Sequence, residues 1–497
     1  MTLGSDDVHL SLHPLPGAEA ALARLAEQAR HDLTALSHPV SDWVRPVTHA
    51  SGRHVYDVVI VGGGQSGVVT ALGLKREGVG NVVVLDRGAA GFEGPWETFA
   101  RMAVLRTPKA LVGAEMNIRS LSARAWFEAR YGAAAWERIT WIPRRDWMQY
   151  LRWYREVAAL AVRNDTAVTG IEPDGTVLVV KTRTGGRDDT VLARRVVIAT
   201  GQDGAGAWRV PDHIAEALPA HAYSHSNLPF DLAALAGKRV GILGHGASAF
   251  DAALAGVEIG AASVDLCFRR VQLPVVNPFR WLDAIPLLAH FAELDDATRW
   301  NIARHFDVID QPPGRHSFER AMAEPRVRIH GDCRWLDIRW NGNAIDIKST
   351  RGDFQFDFLI CATGLRYGLE YREELTGIRD DIALWADRYT PPPDAAHADL
   401  AKLPYVGPAF EFQEKHPGTA PWLANIFAFN YSSTLSMTPV ATGITGQRYG
   451  VPRVVRGITR SLFLEQSGDI LPSLYAYDDP ELDPAAATRF SLAAAAE

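Results

Sequence analysis

Gly62, Gly64 and Gly67 stand in the order G-x-G-x-x-G, within Gly-Gly-Gly-Gln65-Ser66-Gly. Each place has a mechanical use. The first glycine allows a tight turn from strand into helix, and the second lets a pyrophosphate approach the backbone. The third lets the helix pack closely on the strand. Phosphates would then sit at the positive end of a helix beginning near Ser66, within reach of Gln65 and Ser66. Asp86 follows, 19 residues after Gly67, with Arg87 beside it. A carboxylate at that offset accepts hydrogen bonds from a ribose diol.

Gly244, Gly246 and Ala249 repeat the pattern as G-x-G-x-x-A, with Ala247 and Ser248 in the turn. Here the following strand, Val264–Phe268, ends in Arg269-Arg270 instead of an acid. A guanidinium pairs bidentately with a 2′-phosphate that a carboxylate would repel. This second site is therefore read as one for NADPH. An acid-ended unit and an arginine-ended unit in one chain suggest FAD plus NADPH, with hydride passing from nicotinamide to flavin.

The elements that must position these turns are legible beside them. Tyr56–Val61 is a β-branched run without helical period, the pattern of a parallel strand buried on both faces. A helix from Ser66 to Glu77 and a strand at Asn81–Leu85 complete a β-α-β unit, and a second unit opens at Lys238. Val197–Gly201 and Leu359–Gly364 each set a strand before Ala-Thr-Gly, one ahead of the second unit and one after it. They mark crossings between domains, and Gly201 and Gly364 join the cofactor-binding candidates. The expected fold is α/β, with two Rossmann-like dinucleotide-binding domains. The NADPH domain (213–354) is inserted into a discontinuous FAD domain (51–212 plus 355–497).

Residues 1–50 are expected to form an N-terminal helical extension around one amphipathic helix, Ala18–Leu36. An aromatic-rich helical insert spans 96–160, where Trp126, Trp136, Trp141, Trp147 and Trp153 alternate with arginines. Packing into a core is the expected role of these rings. Asn277–Pro325 reads as helix and loop, strands return at Val327–Ile329, Ala344–Lys348 and Phe356–Cys361, and Pro391–Pro421 reads as loop-rich.

Composition excludes several classes. The chain has 497 residues and a net charge of 51 − 58 = −7, without a Lys/Arg block. Nucleic acid and anionic membrane are poor partners for such a surface. No stretch approaches the roughly 18 consecutive apolar residues of a membrane helix. The acidic start is no signal peptide, so a cytoplasmic protein is expected. Cys267, Cys333 and Cys361 are too far apart for a redox C-x-x-C pair or a zinc knuckle. No H-E-x-x-H or G-x-S-x-G occurs, so neither a metal centre nor serine hydrolysis is supported.

From residue 55 to about 450 the sequence resembles the two-dinucleotide-binding-domain flavoproteins, and within them the class B flavin monooxygenases. The matching pieces are Val61–Gly67, both Ala-Thr-Gly segments, Gly237–Asp251 and the arginine pair. Gly94-Pro95-Trp96 is similar to the family's Gly/Trp segment beside the flavin, and Leu105–Lys109 to the segment near the flavin ring. The resemblance places Val168 where a strand residue contacts the FAD adenine through its backbone. The family's F-x-G-x-x-x-H linker is matched only in part: His225 and Ser226 are present, but Pro219 and His221 hold the Phe and Gly places and the following aromatic is Phe230. His225 is read as a linker residue before an acid–base catalyst.

The resemblance implies an NADPH-consuming enzyme that inserts one oxygen atom of O₂ into a small organic substrate through a C4a-peroxyflavin. Nitrogen, sulfur and ketone carbon are the candidate targets, and a homo-oligomer is compatible with the class. The alternative reading is an NADPH oxidase or electron-transfer flavoprotein that oxygenates nothing.

Overall fold

A computed structural model describes residues 12–37, 39, 41–110, 113–282 and 285–487. Its first sheet has seven strands: β1 (Val55–Val61), β2 (Val82–Leu85), β3 (Val162–Arg163), β4 (Thr166–Asp174), β5 (Val177–Thr184), β6 (Arg187–Ile198) and, far downstream, β12 (Ile426–Phe427). They run in the order β3-β2-β1-β6-β5-β4, with β12 against β6. β1 carries Val58, Val59, Ile60 and Val61 buried on both faces, which a run of β-branched residues suits. It lies parallel to β2 and β6, with Val61 opposite both Leu85 and Ile198. That register ends the three strands together, so Gly62 and Asp86 emerge at one edge. The Gly62 amide donates to the Leu85 carbonyl at 2.8 Å.

The second sheet is parallel throughout. It contains β7 (Tyr223–His225), β8 (Arg239–Leu243), β9 (Ser263–Cys267), β10 (Val327–His330) and β11 (Phe358–Cys361), in the order β7-β11-β8-β9-β10. β11 corrects the sequence reading, which closes the inserted unit at 354. Leu359 pairs with Gly241 on one side and Tyr223 on the other, so this strand belongs to the second sheet and the return crossing follows Cys361. A buried parallel strand reads alike in either sheet, and only its partners decide. The chain crosses between sheets through Gly206–Trp208 and Leu365–Tyr367, which pair antiparallel.

Six helices bear on the sites. α1 (Ala18–Ala35) buries Ala26 and Ala29 against the first core, within the expected N-terminal extension. α2 (Gln65–Arg76) follows the first glycine turn, and α4 (Ala247–Glu258) follows the second. α3 (Arg144–Val157) turns Trp147, Tyr150, Leu151 and Tyr154 inward, while Trp126 and Trp136 are also buried. Trp126, Trp136 and Trp147 are thus core, each removing a large apolar area from water, while Trp141 and Trp153 are half-buried. α5 (Asp296–Ile309) lies in the excursion between β9 and β10. α6 (Gln447–Glu465) packs along α2, and its Glu465 holds Arg194 and Arg195 at 2.9 and 2.7 Å. Among the described residues no helix is long and apolar enough to cross a membrane.

Candidate functional site

The first glycine turn is built by sterics. A Cβ on Gly67 would stand 1.8 Å from the Gly62 carbonyl oxygen, so only glycine lets α2 sit this close to β1. Gly62 adopts φ 108°, and a Cβ there would meet the Ala199 oxygen at 2.5 Å. Gly64 is different: its Cβ would find nothing nearer than the Gly94 Cα at 3.8 Å. Two of the glycines serve the fold, and the third borders open space at the start of α2. No side chain caps that helix, so its first amides have no side-chain acceptor.

Asp86 closes the far side. Its carboxylate is buried and accepts from the Gly63 and Gly88 amides, both at 2.6 Å. Burial holds this carboxyl above its usual range, and the two amides oppose the rise. Glu93, also buried, holds the loop after β2 through Arg155 and Asn164, both at 2.6 Å. Arg87 reaches Asp203, two residues after Gly201, at 2.7 Å. The Thr166 amide donates to the Asp86 carbonyl at 2.8 Å, bringing Val168 just past the end of β2. Trp96 meets Trp147 edge to face at 6.5 Å, and its buried Nε1 has no hydrogen-bond partner. Lys109 donates to the Trp136 carbonyl and lies 5.2 Å from that ring, which ties it into the insert.

The second turn follows the same plan. Gly244 has φ 146° and its Cβ would stand 2.4 Å from the Ala362 oxygen, whereas a Cβ on Gly246 would meet nothing within 4 Å. α4 likewise begins without a side-chain cap. Gly246, Ala247 and Ser248 line a cavity of about 180 Å³ together with His225, Asp310 and Gly364. Arg269 and Arg270 are exposed at the end of β9, and Arg270 lies 3.4 Å from Asp310.

His225 joins the crossings. The Gly364 carbonyl can only accept, so His225 Nε2 donates to it at 3.2 Å, while Nδ1 accepts from the Asn227 amide at 3.1 Å. Its ring lies 5.5 Å from that of Trp208. Burial, with the nearby Arg101 charge, lowers its pKa to about 4, so the ring is neutral at pH 7. Cys267 and Cys333, distant in sequence, are both buried and interact through their thiols. Burial pushes the Cys267 thiol well up, which suppresses the thiolate that disulfide exchange needs.

A family described as pyridine nucleotide-disulphide oxidoreductase matches residues 59–285, the stretch carrying both glycine turns. The chain is 42% identical over 461 residues to an FAD-dependent urate hydroxylase from Xanthomonas campestris pv. campestris, covering 93% of this chain and 97% of that protein. The chain belongs to the family of this FAD-dependent urate hydroxylase. Solved structures share the fold. The ornithine hydroxylase of Pseudomonas aeruginosa superposes with a TM-score of 0.66 at 16% identity, over 82% of this chain and all of that one. The L-lysine 6-monooxygenase of Pseudomonas syringae gives 0.63 at 16%, over 82% and 99%.

The flavin that membership of this family implies is met by residues of the right kind. The uncapped amides of α2, the space beyond Gly64 and the orphaned Trp96 Nε1 are all what a bound FAD would use. The sequence reading missed the downstream side of this cradle. Gln65 and Ser66 donate to the Thr442 carbonyl at 3.4 and 3.3 Å, and Gln447 Nε2 donates to Ser66 Oγ at 3.4 Å. Gln447 Oε1 is left buried without a partner. The run Ala441-Thr442-Gly443-Ile444-Thr445-Gly446 ahead of a long amphipathic helix is the sequence signal for this approach.

Proposed function

We propose that the chain is an FAD-dependent, NADPH-consuming monooxygenase that transfers one oxygen atom of O₂ to a small organic substrate. FAD takes the turn at Gly62–Gly67 with its ribose on Asp86, and NADPH takes the turn at Gly244–Ala249. The observation that carries this reading is the pair of uncapped helix starts, α2 and α4, each behind a glycine that leaves room for a phosphate. One leads to a buried acid and the other to an exposed arginine pair.

FAD, when bound, supplies the redox chemistry by accepting hydride and activating O₂. The chain supplies binding, orientation and dryness. Asp86 offers a charged acceptor to a ribose diol, and the α2 amides meet the pyrophosphate. Trp96 and Trp147 wall the cradle with apolar surface, which keeps water from the reacting centre. The neutral His225, with both nitrogens engaged by backbone, fixes the crossing between the two units instead of moving protons.

The 42% identical relative is named for urate. A planar, anionic purine is therefore the first substrate to test, ahead of the amines, sulfides and ketones that the resemblance brings to mind. The test is NADPH-dependent oxygen uptake with and without each compound, with peroxide measured in parallel. Uptake that a substrate stimulates while peroxide release falls supports oxygen transfer. Stoichiometric peroxide with every candidate leaves an NADPH oxidase instead.

A further inference from the structure

The adenosine ribose of a nicotinamide coenzyme lies between the glycine turn and the end of the next strand. In this chain one carboxylate bridges those two places. Asp310 Oδ2 accepts from His245 Nε2, inside the glycine turn, at 2.7 Å. The same oxygen lies 3.4 Å from Nη2 of Arg270, at the end of β9. Asp310 comes from neither element. It is the residue after α5, with φ 63°, and reaches the site from the excursion between β9 and β10.

Its position is electrostatically costly unless something compensates. A carboxylate just past a helix C-terminus faces the negative end of the helix dipole. His245, Arg270 and the Gln311 amide, which donates to Oδ1 at 2.7 Å, supply the compensation. Burial by itself would raise the carboxyl, but the His245 hydrogen bond, the Gln311 amide and the Arg270 charge bring it below the usual range. Asp310 is thus ionised at neutral pH.

We propose that Asp310 sets the coenzyme preference of the second site, by engaging Arg270 and opposing a 2′-phosphate. The inference rests on the reading that a nicotinamide coenzyme binds at Gly244–Ala249. A 2′-phosphate arriving at the arginine pair must draw Arg270 from Asp310 and then lie beside a like charge. A 2′-hydroxyl meets no such opposition, because it can donate to the carboxylate. The arginine pair alone favours NADPH, and Asp310 narrows that margin toward NADH.

The test is titration of the FAD-loaded protein with NADP⁺ and with NAD⁺, followed by calorimetry. It compares wild type, Asp310→Asn, Arg270→Ala and the double variant. Removing a half-exposed opposing charge is expected to tighten NADP⁺ by about threefold to fivefold. NAD⁺ should not tighten. Arg270→Ala should weaken NADP⁺ more in the Asp310→Asn background than in wild type, since the arginine is then free to meet the phosphate. Asp310→Ser, which removes the same charge with a smaller side chain, should move NADP⁺ in the same direction. FAD content and circular dichroism check that each variant is folded. An unchanged NADP⁺ to NAD⁺ ratio in both Asp310 variants, or an equal cost of Arg270→Ala in both backgrounds, overturns the proposal. Failure of the underlying reading looks different: Arg269→Ala/Arg270→Ala would then bind both coenzymes as wild type does.

Discussion

Arg106 and Asp251 meet at 2.7 Å across the two nucleotide-binding units. The arginine belongs to strand Val104–Pro108 of the insert, and the aspartate to α4 behind the second glycine turn. Asp251 is 6% exposed and also accepts from Ser317 Oγ at 2.8 Å. Arg101 makes a second tie nearby, donating to the Ser226 carbonyl while its guanidinium lies 4.3 Å from the Phe230 ring. Burial lowers the Arg101 pKa to about 10, which still leaves it charged at pH 7. Two arginines of the insert thus clamp the second unit beside the cavity at its glycine turn.

Arg106→Ala would leave the Asp251 carboxylate buried with a single hydroxyl partner. The expected loss of stability is about 1–3 kcal/mol, the cost of a buried acceptor deprived of its cation. Combining it with Asp251→Asn should cost less than the two single losses together, because both act on one pair. Denaturant midpoints from tryptophan fluorescence measure this. Strictly additive losses would mean that the pair is a contact without energetic coupling.

The glycines of the first turn should separate fold from ligand. Gly67→Ala forces a methyl into the Gly62 carbonyl, and the protein should be insoluble or strongly destabilised. Gly64→Ala has room in the protein by itself, so it should fold with a wild-type circular dichroism spectrum. A pyrophosphate at that spot would clash with the new methyl, and the variant should purify with little flavin. Full FAD occupancy in folded Gly64→Ala would put the phosphates elsewhere.

Asp86→Asn addresses the ribose end of the same cradle. The substitution removes the charge that a ribose hydroxyl would meet, a loss of roughly 1.5–3 kcal/mol for a charge-assisted hydrogen bond. FAD binding should therefore weaken by about tenfold or more. Flavin fluorescence quenching on the apoprotein reads the dissociation constant. Unchanged affinity would leave Asp86 as a brace for the Gly63 and Gly88 amides alone.

What was legible in the sequence was local. The spacing of Gly62, Gly64, Gly67 and Asp86 sits in one β-α-β unit, so strand period and turn chemistry suffice to read it. The Ala-Thr-Gly segments that follow strands, at 199–201 and 362–364, likewise announce the crossings. The unread parts come from afar in the chain. Thr442 and Gln447 reach Ser66 across more than 370 residues, as the separations of 376 and 381 record. Asp310 meets His245 and Arg270 only because α5 ends where it does. No periodicity reports such meetings, since they depend on how finished elements pack. β11 reads as a strand from its own residues, whereas its place in the second sheet depends on pairing with Tyr223 and Gly241 far upstream.

The final prediction concerns pH and His225. Its pKa is about 4 in the folded protein, against 6.5 for an unperturbed histidine, because burial disfavours the charged ring. The unfolded chain therefore binds the proton more tightly. Stability from keeping the ring neutral is fully present above pH 6.5, and it is lost as pH falls from there toward 4. The whole effect is roughly 3 kcal/mol, of which about 2 kcal/mol should be gone by pH 5. His225→Gln keeps a donor for the Gly364 carbonyl but has no proton to gain, so its stability should fall less between pH 7 and pH 5 than wild type's does. Other groups titrate in that window, and the comparison between the two proteins cancels them. The same variant tests the role in turnover. A ring whose Nε2–H and Nδ1 are both engaged by backbone has no free nitrogen for substrate. The pH profile of kcat/KM should thus keep its shape in His225→Gln, even if its height drops through a looser crossing. Equal stability slopes in the two proteins would refute the depressed pKa. A limb of the kcat/KM profile that vanishes with the imidazole would make His225 a proton carrier instead of a linker.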